Sequence, residues 1–163
     1  MAGNKANKLN SMRLLESKGI AYEVMTYDDA IHDAAEAAAA MGVPPEQVCK
    51  TLVVERGTGK PLLVMIDATR HLDLKRFSAA IGEKKVSMAA HADAENWTGL
   101  KVGGIGALAL VQKHWDVYLD QVASRQERLC VNAGQRGINL RVAVADLIRV
   151  LDVKIVDASG DKQ

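Results

Sequence analysis

The stretch Cys49-Lys50-Thr51-Leu52-Val53-Val54 decides how this chain is read. Lys50 opens an apolar, β-branched run, so its ammonium lies at the mouth of a strand bound for the core, where burying a charge needs a reason. Working outward, the runs 51–56 and 61–67 flank Gly57-Thr58-Gly59-Lys60, the pattern of a hairpin of two central strands. Two further stretches belong beside it: Gly103-Gly104-Ile105-Gly106-Ala107 and Asn132-Ala133-Gly134-Gln135-Arg136-Gly137. One cationic anchor and two backbone-rich loops suit an anionic or carbonyl-bearing ligand better than a metal or a side-chain nucleophile.

The rest of the chain alternates helices and strands. Leu9, Met12, Leu14 and Leu15 recur at helical spacing and stop at Gly19. A strand follows over 20–24, ending in the turn signal Asp28-Asp29, and then a helix over 33–41 closed by Gly42. Pro44-Pro45-Glu46-Gln47 makes a short helical turn into Lys50. Asp73 is placed to cap a helix ended by Gly82, and 92–97 reads as another closed by Gly99. Strands are expected at 85–88, 107–111, 117–119, 129–132, 138–142 and 153–156, with a helix over 144–151. Hairpins alternate with crossovers without a strict βαβ repeat, so the expected class is α/β of the mixed α+β kind, with one mixed, mainly antiparallel sheet.

At 163 residues, with 48% apolar and 25% charged side chains, the chain has ordinary globular composition and length for one domain spanning 1–163, with loose ends at 1–6 and 158–163. Its longest apolar runs, 62–66 and 107–111, are far too short to span a bilayer, so no membrane partner and a cytoplasmic location are expected. Cys49 and Cys130 form no paired-ligand spacing, and neither do His32, His71, His91 and His114, so no metal and no cofactor are expected. With 21 basic and 20 acidic residues the net charge is +1, which limits any nucleic-acid contact to a small or local one.

Each site feature carries two readings. Lys50 is an anchor for a phosphate, carboxylate or ribose oxygen, or else a lysine whose stem snorkels over the sheet edge. Thr51 adds a hydroxyl, or simply packs. The glycines 103, 104 and 106 expose N–H groups to a small anion or developing oxyanion, or merely turn the chain. Gly134, Arg136 and Gly137 form a second such loop, or a plain hairpin turn. No Ser/His/Asp arrangement or paired carboxylates stand out, so chemistry here would rest on oriented backbone donors and on groups of the substrate.

Taken in order, six segments resemble the YbaK/prolyl-tRNA-synthetase-associated editing domain family over residues 12–157. They are Thr26-Tyr27-Asp28, Gln47-Val48-Cys49-Lys50-Thr51-Leu52, Leu72-Asp73-Leu74-Lys75-Arg76, Lys84-Lys85-Val86, Gly103-Gly104-Ile105, and Val131-Asn132-Ala133-Gly134-Gln135-Arg136-Gly137. The resemblance implies a trans-acting deacylase that hydrolyses the ester joining a wrong, small amino acid of Cys or Ala type to the acceptor end of tRNA(Pro). It implies that Lys50 contacts the terminal adenosine region and that amides of Gly103, Gly104, Ile105, Gly106 and Ala107 hold the aminoacyl carbonyl. Tyr27 and Thr51 would line the pocket, with Asn132, Gly134, Arg136 and Asn139 as further binding residues and His32, just beyond the Tyr27 segment, as another. Aminoacyl-tRNA is the implied partner, and a synthetase is the second partner the resemblance brings into view. Family members described as cysteinyl-tRNA deacylases need no enzyme nucleophile, in keeping with the missing triad.

The chain departs from the family pattern in two places. The family loop usually continues Ser-Pro-x-Gly after Gly-Gly-x, where this chain has Gly106-Ala107-Leu108-Ala109. Two polar pocket positions, often Ser and Asp in cysteine-specific relatives, are Asn132 and Asn139 here. The alternative expectation is therefore a non-catalytic module of the same fold that binds aminoacyl-tRNA, a nucleotide or a synthetase.

Overall fold

In the computed structural model, which describes residues 8–161, the hairpin read from the sequence forms the centre. Strand β2 (Cys49–Arg56) pairs antiparallel with β3 (Leu62–Asp67), in register from Cys49 opposite Asp67 to Val54 opposite Leu62. Strand β5 (Val86–Met88) adds antiparallel to β2, while β6 (Val117–Asp120) and β9 (Lys154–Val156) add in parallel beyond β3, giving the order β5-β2-β3-β6-β9.

Every residue of β3 is buried because both faces of this sheet are covered. Leu63 and Met65 face the main core, shared with Leu129 and Val131 of β7 (Arg128–Gln135) and Leu140 and Val142 of β8 (Ile138–Ala143). Leu62, Val64 and Ile66 face a second cluster around Phe77 and Tyr118, whose rings meet edge-on with centroids 5.3 Å apart. A strand covered on both faces reads as a continuous apolar run, without polar alternation. Fully burying a side chain such as Phe77 contributes about 1.5–3 kcal/mol.

A second sheet has the order β1-β8-β7, with β1 (Glu23–Thr26) antiparallel to β8. A single bridge between Val48 and Cys130 brings β7 to the start of β2. The mixed α/β class expected from the sequence holds, with the strands shared among separate sheets.

Local chemistry sets the helix ends. The Asp33 carboxylate accepts from Glu36 N–H at the start of α2 (Ala34–Met41), and Asp73 accepts from Arg76 N–H at the start of α3 (Leu74–Ile81). Gly42, Gly82 and Gly99 take the left-handed conformation that ends α2, α3 and α4 (His91–Thr98). Helix α1 (Asn10–Ser17) lays Met12 and Leu15 on the main core, as does α5 (Val144–Leu151) with Leu147 and Leu151.

Three expectations change. The first strand begins at Glu23 rather than 20, because Ile20 is buried and its N–H closes α1 onto Leu15 O. The strand expected over 107–111 is absent; short 3-10 turns take its place at Ala107–Ala109 and Val111–Lys113, with Ala109 N–H donating to Gly106 O and Leu110 N–H to Ala107 O. Alanine is somewhat depleted in strands, and these local bonds satisfy the backbone without one.

Third, 158–161 is ordered as β10 (Ser159–Asp161), paired with β4 (Arg70–Leu72). The buried Asp120 carboxylate accepts from Ala158 N–H at 2.9 Å and Ser159 Oγ at 2.6 Å, and Arg70 donates to Ser159 Oγ and Asp161. That network repays the cost of burying a carboxylate by hydrogen-bonding it. The loose ends expected at 1–6 and at 162–163 lie outside the described residues.

Candidate active site

The first residues of β2 open onto a cavity of about 240 Å³ between the two sheets. Its walls bring together Tyr27, His32, Lys50, Thr51, Gly103, Ile105, Asn132 and Asn139, from segments scattered over more than 100 residues. The remainder of the wall is mostly small and apolar, including Ala37, Val48, Ala89 and Ala94. Gly104, Gly106, Ala107, Gly134 and Arg136, named from the sequence as site residues, lie behind this wall rather than in it.

Thr51 Oγ1 is buried at the wall without a hydrogen-bond partner among the described residues, a polar group for which a ligand atom would be favourable. The Tyr27 hydroxyl makes a long contact, 3.4 Å, to Asn139 Oδ1, and its backbone N–H donates to Gly137 O. Burial raises the Tyr27 phenol above its ordinary value. Asn132 and Asn139 stand opposite each other in the β7–β8 register and bring two amides to the cavity, while the lining carboxylate of Asp33 accepts from Glu36 N–H.

The glycine loop is divided in its tasks. Gly103, at φ +91°, and Ile105 face the cavity, and a Cβ on Gly103 would sit 3.1–3.2 Å from the His32 ring. Gly104 donates its N–H to Lys101 O at 2.7 Å, whereas the Gly103 and Ile105 N–H groups have no such internal acceptor among the described residues. Behind them, a Cβ on Gly104 would lie 2.8 Å from Arg136 N, and one on Gly106 only 2.1 Å from Asn132 O. Gly104 and Gly106 are thus required for close approach to β7, and Gly103 and Ile105 line the cavity.

Cys49 also reaches the cavity wall. Burial, then the nearby Asp67 and Asp120 carboxylates and Cys130, push its thiol far up, and burial likewise raises Cys130. Both are neutral thiols at physiological pH, and neither is an activated nucleophile. His91, at the first turn of α4, lines the cavity, though its place in the sequence marked it only as a histidine outside any metal-ligand spacing. No local signal distinguishes it, since only the tertiary fold brings it to the same cavity as residues 49–52 of β2. Among the described residues no group of three or more His, Cys, Asp and Glu side chains converges to hold a metal ion, and no helix is long and apolar enough to cross a membrane.

The fold and site define a mixed α/β domain built around a small pocket walled by Lys50, the Asp33 carboxylate, two histidines and the neutral polar side chains of Tyr27, Thr51, Asn132 and Asn139. Residues 28–150 match the model of the aminoacyl-tRNA editing domain, and the chain belongs to that family. It is 31% identical, over 83% of this chain and 84% of the relative, to an Enterococcus faecalis protein provisionally named Cys-tRNA(Pro)/Cys-tRNA(Cys) deacylase EbsC. It is 23% identical, over 96% and 95%, to the Escherichia coli multifunctional Ser/Thr-tRNA deacylase ProXp-y.

The fold is shared with the crystal structure of hypothetical protein APE2540, at TM-score 0.83 and 22% identity, covering 91% of this chain and 97% of that one. It is shared too with a protein described provisionally as a trans-editing enzyme for prolyl tRNA synthetase, at TM-score 0.81 and 21% identity, covering 93% and 95%. Membership of this family places the chain among enzymes that hydrolyse the ester bond of aminoacyl-tRNA.

Proposed function

We propose that the protein is a trans-acting deacylase that removes a small, uncharged amino acid, of Cys or Ala type, from tRNA(Pro). The observation that carries this reading is the meeting of Lys50, Gly103, Ile105 and the neutral polar side chains of Tyr27, Thr51 and Asn139 in one small cavity. At about 240 Å³ the cavity falls below the roughly 300–1,000 Å³ of pockets that engulf a drug-sized ligand. It suits an aminoacyl group with the terminal adenosine held at the rim, where Lys50 offers its ammonium to ribose or phosphate oxygens.

Water attacks the ester carbonyl carbon, the carbonyl oxygen becomes the tetrahedral oxyanion, and the Gly103 and Ile105 N–H groups stabilise that charge. Collapse of the intermediate breaks the ester C–O bond and expels the ribose oxygen, which takes the proton given up by the attacking water and becomes the free hydroxyl, leaving the free amino acid. No thiolate is required, in keeping with the raised thiols of Cys49 and Cys130. The net charge of +1 favours a grip on the acceptor end alone, with a synthetase supplying the rest of the tRNA contact.

The name of the Enterococcus relative favours cysteine, and the amide floor formed by Asn132 and Asn139 admits a thiol, methyl or hydroxyl without a charge mismatch. The test is deacylation of tRNA(Pro) charged with Cys, Ala, Ser or Thr, by the wild type and by Lys50→Ala. Expected is fast hydrolysis of Cys or Ala ester, reduced about 10²–10³-fold in the variant. Preference for Ser or Thr would move the substrate toward that of the Escherichia coli relative. Absence of hydrolysis above the variant for every species would sink the enzymatic reading and leave the binding module.

A further inference from the structure

The glycine loop faces an entropic difficulty. Three glycines in four residues, 103–106, leave a backbone with more freedom than any other composition, and backbone donors work only when they are held in place before the reaction. The structure supplies a brace from outside the loop. Asn132 Nδ2 donates to Gly103 O at 2.9 Å, while the same side chain's Oδ1 accepts from Gly134 N–H at 2.7 Å and Gln135 N–H at 3.1 Å. Arg136 Nε donates to Val102 O at 2.7 Å. Two consecutive loop carbonyls, those of Val102 and Gly103, are therefore tied to side chains of one irregular segment, where the β7–β8 register slips between Asn132 and Gln135. Glu95 holds the remaining side by accepting from Val102 N–H at 2.8 Å.

We infer that Asn132 and Arg136 are positioning residues for the Gly103–Ile105 backbone, and that the bulge in β7 is the frame that sets the direction of the loop's N–H groups. This inference rests on the reading of those N–H groups as the oxyanion site. It changes the part given to both side chains: Asn132 spends both ends of its amide inside the protein, and Arg136 lies outside the cavity wall with its Nε committed. Each carbonyl hydrogen bond fixes a peptide plane, and the N–H of the next residue belongs to that plane. The Gly103 carbonyl shares its plane with the Gly104 N–H, and the Val102 carbonyl shares its plane with the Gly103 N–H, which has no internal acceptor among the described residues. Arg136 consequently orients a proposed donor directly, and Asn132 fixes the plane between the two donors.

Asn132→Asp separates the two tasks of the amide. The aspartate keeps an acceptor for Gly134 and Gln135 but loses the donor to Gly103 O and faces that oxygen with negative charge. Its expected effect is a fall in kcat of about 10- to 100-fold with KM within about twofold, because the loss is felt at the oxyanion and not in ground-state binding. Arg136→Ala is expected to act in the same direction. Hydrogen exchange at the Gly104 amide, protected in the wild type by Lys101 O, provides a readout that needs no substrate and is expected to quicken in both variants.

A fall in kcat with unchanged Gly104 protection would overturn the inference, since Asn132 would then be acting on the substrate itself. Unchanged kcat and unchanged protection would overturn it as well. If the wild type deacylates nothing while protection drops in the variants, the brace stands and the deacylase reading fails. Thermal denaturation of each variant separates either result from global unfolding.

Discussion

The two ends of β2 both meet glycine-rich loops, and the glycines serve opposite ends. At the far end Arg56 runs into Gly57-Thr58-Gly59-Lys60, which is exposed; nothing lies within 4 Å of where a Cβ on Gly57 would sit, and a Cβ on Gly59 would meet only the Arg56 guanidinium, at 3.5 Å. At the near end Cys49 and Lys50 share a cavity with the loop 103–106, where added Cβ atoms would strike backbone at 2.8 Å and 2.1 Å. One loop uses glycine to turn in solvent. The other uses it to let two backbones touch, and so to build a wall of amides.

Gly106→Ala is the sharpest test of that contrast and carries the largest expected effect. Its φ of −138° suits any residue, so conformation forbids nothing and only space does. Moving the Asn132 backbone aside should cost about 3 kcal/mol or more, lowering Tm by roughly 6–12 °C, with deacylation lost. A Tm within 1 °C of wild type would break the comparison. Gly103→Ala should be milder: φ of +91° strains the residue, but the obstacle is the His32 side chain, which can move. About 1–2 kcal/mol is expected from denaturant midpoints.

The near end is also desolvated, and alkaline pH should reveal it. The folded protein holds the Cys49 proton more tightly than the unfolded chain does, so this contribution is intact below about pH 9 and is lost as pH rises above it. Urea unfolding at pH 7, 9 and 10 should show stability declining over the last step, with a shallower decline in Cys49→Ala. Equal declines would remove the thiol as its cause. The smallest effect is expected at the far end, where Gly57→Ala should change stability by no more than about 0.5 kcal/mol and leave kcat unaltered.

Much of this was legible beforehand where the signal is local. Asp33 and Asp73 cap helices, and Gly42, Gly82 and Gly99 end them, because capping depends on groups within four residues. The hairpin of β2 and β3 was legible because each strand is a continuous apolar run around a glycine turn. Most of the cavity's polar wall, Tyr27, Lys50, Thr51, Gly103 and Asn139, was identified from segment resemblance. The 107–111 segment was misread because apolar character is common to strands and to buried turns, and what separates them is the local bonding of Gly106 and Ala107 carbonyls.

By itself, then, the sequence determined the mixed class, the helix limits, the central hairpin and the family, all of which follow from short-range periodicity or from the order of motifs along the chain. Tertiary structure alone decided that the Gly104 and Gly106 positions face backbone, that Asn132 and Arg136 brace the loop, that His91 reaches the pocket, and that Asp120 holds a last strand against β4. Each of these depends on atoms dozens of residues apart meeting at a few ångströms, and such distances are set only when both sheets close over one core.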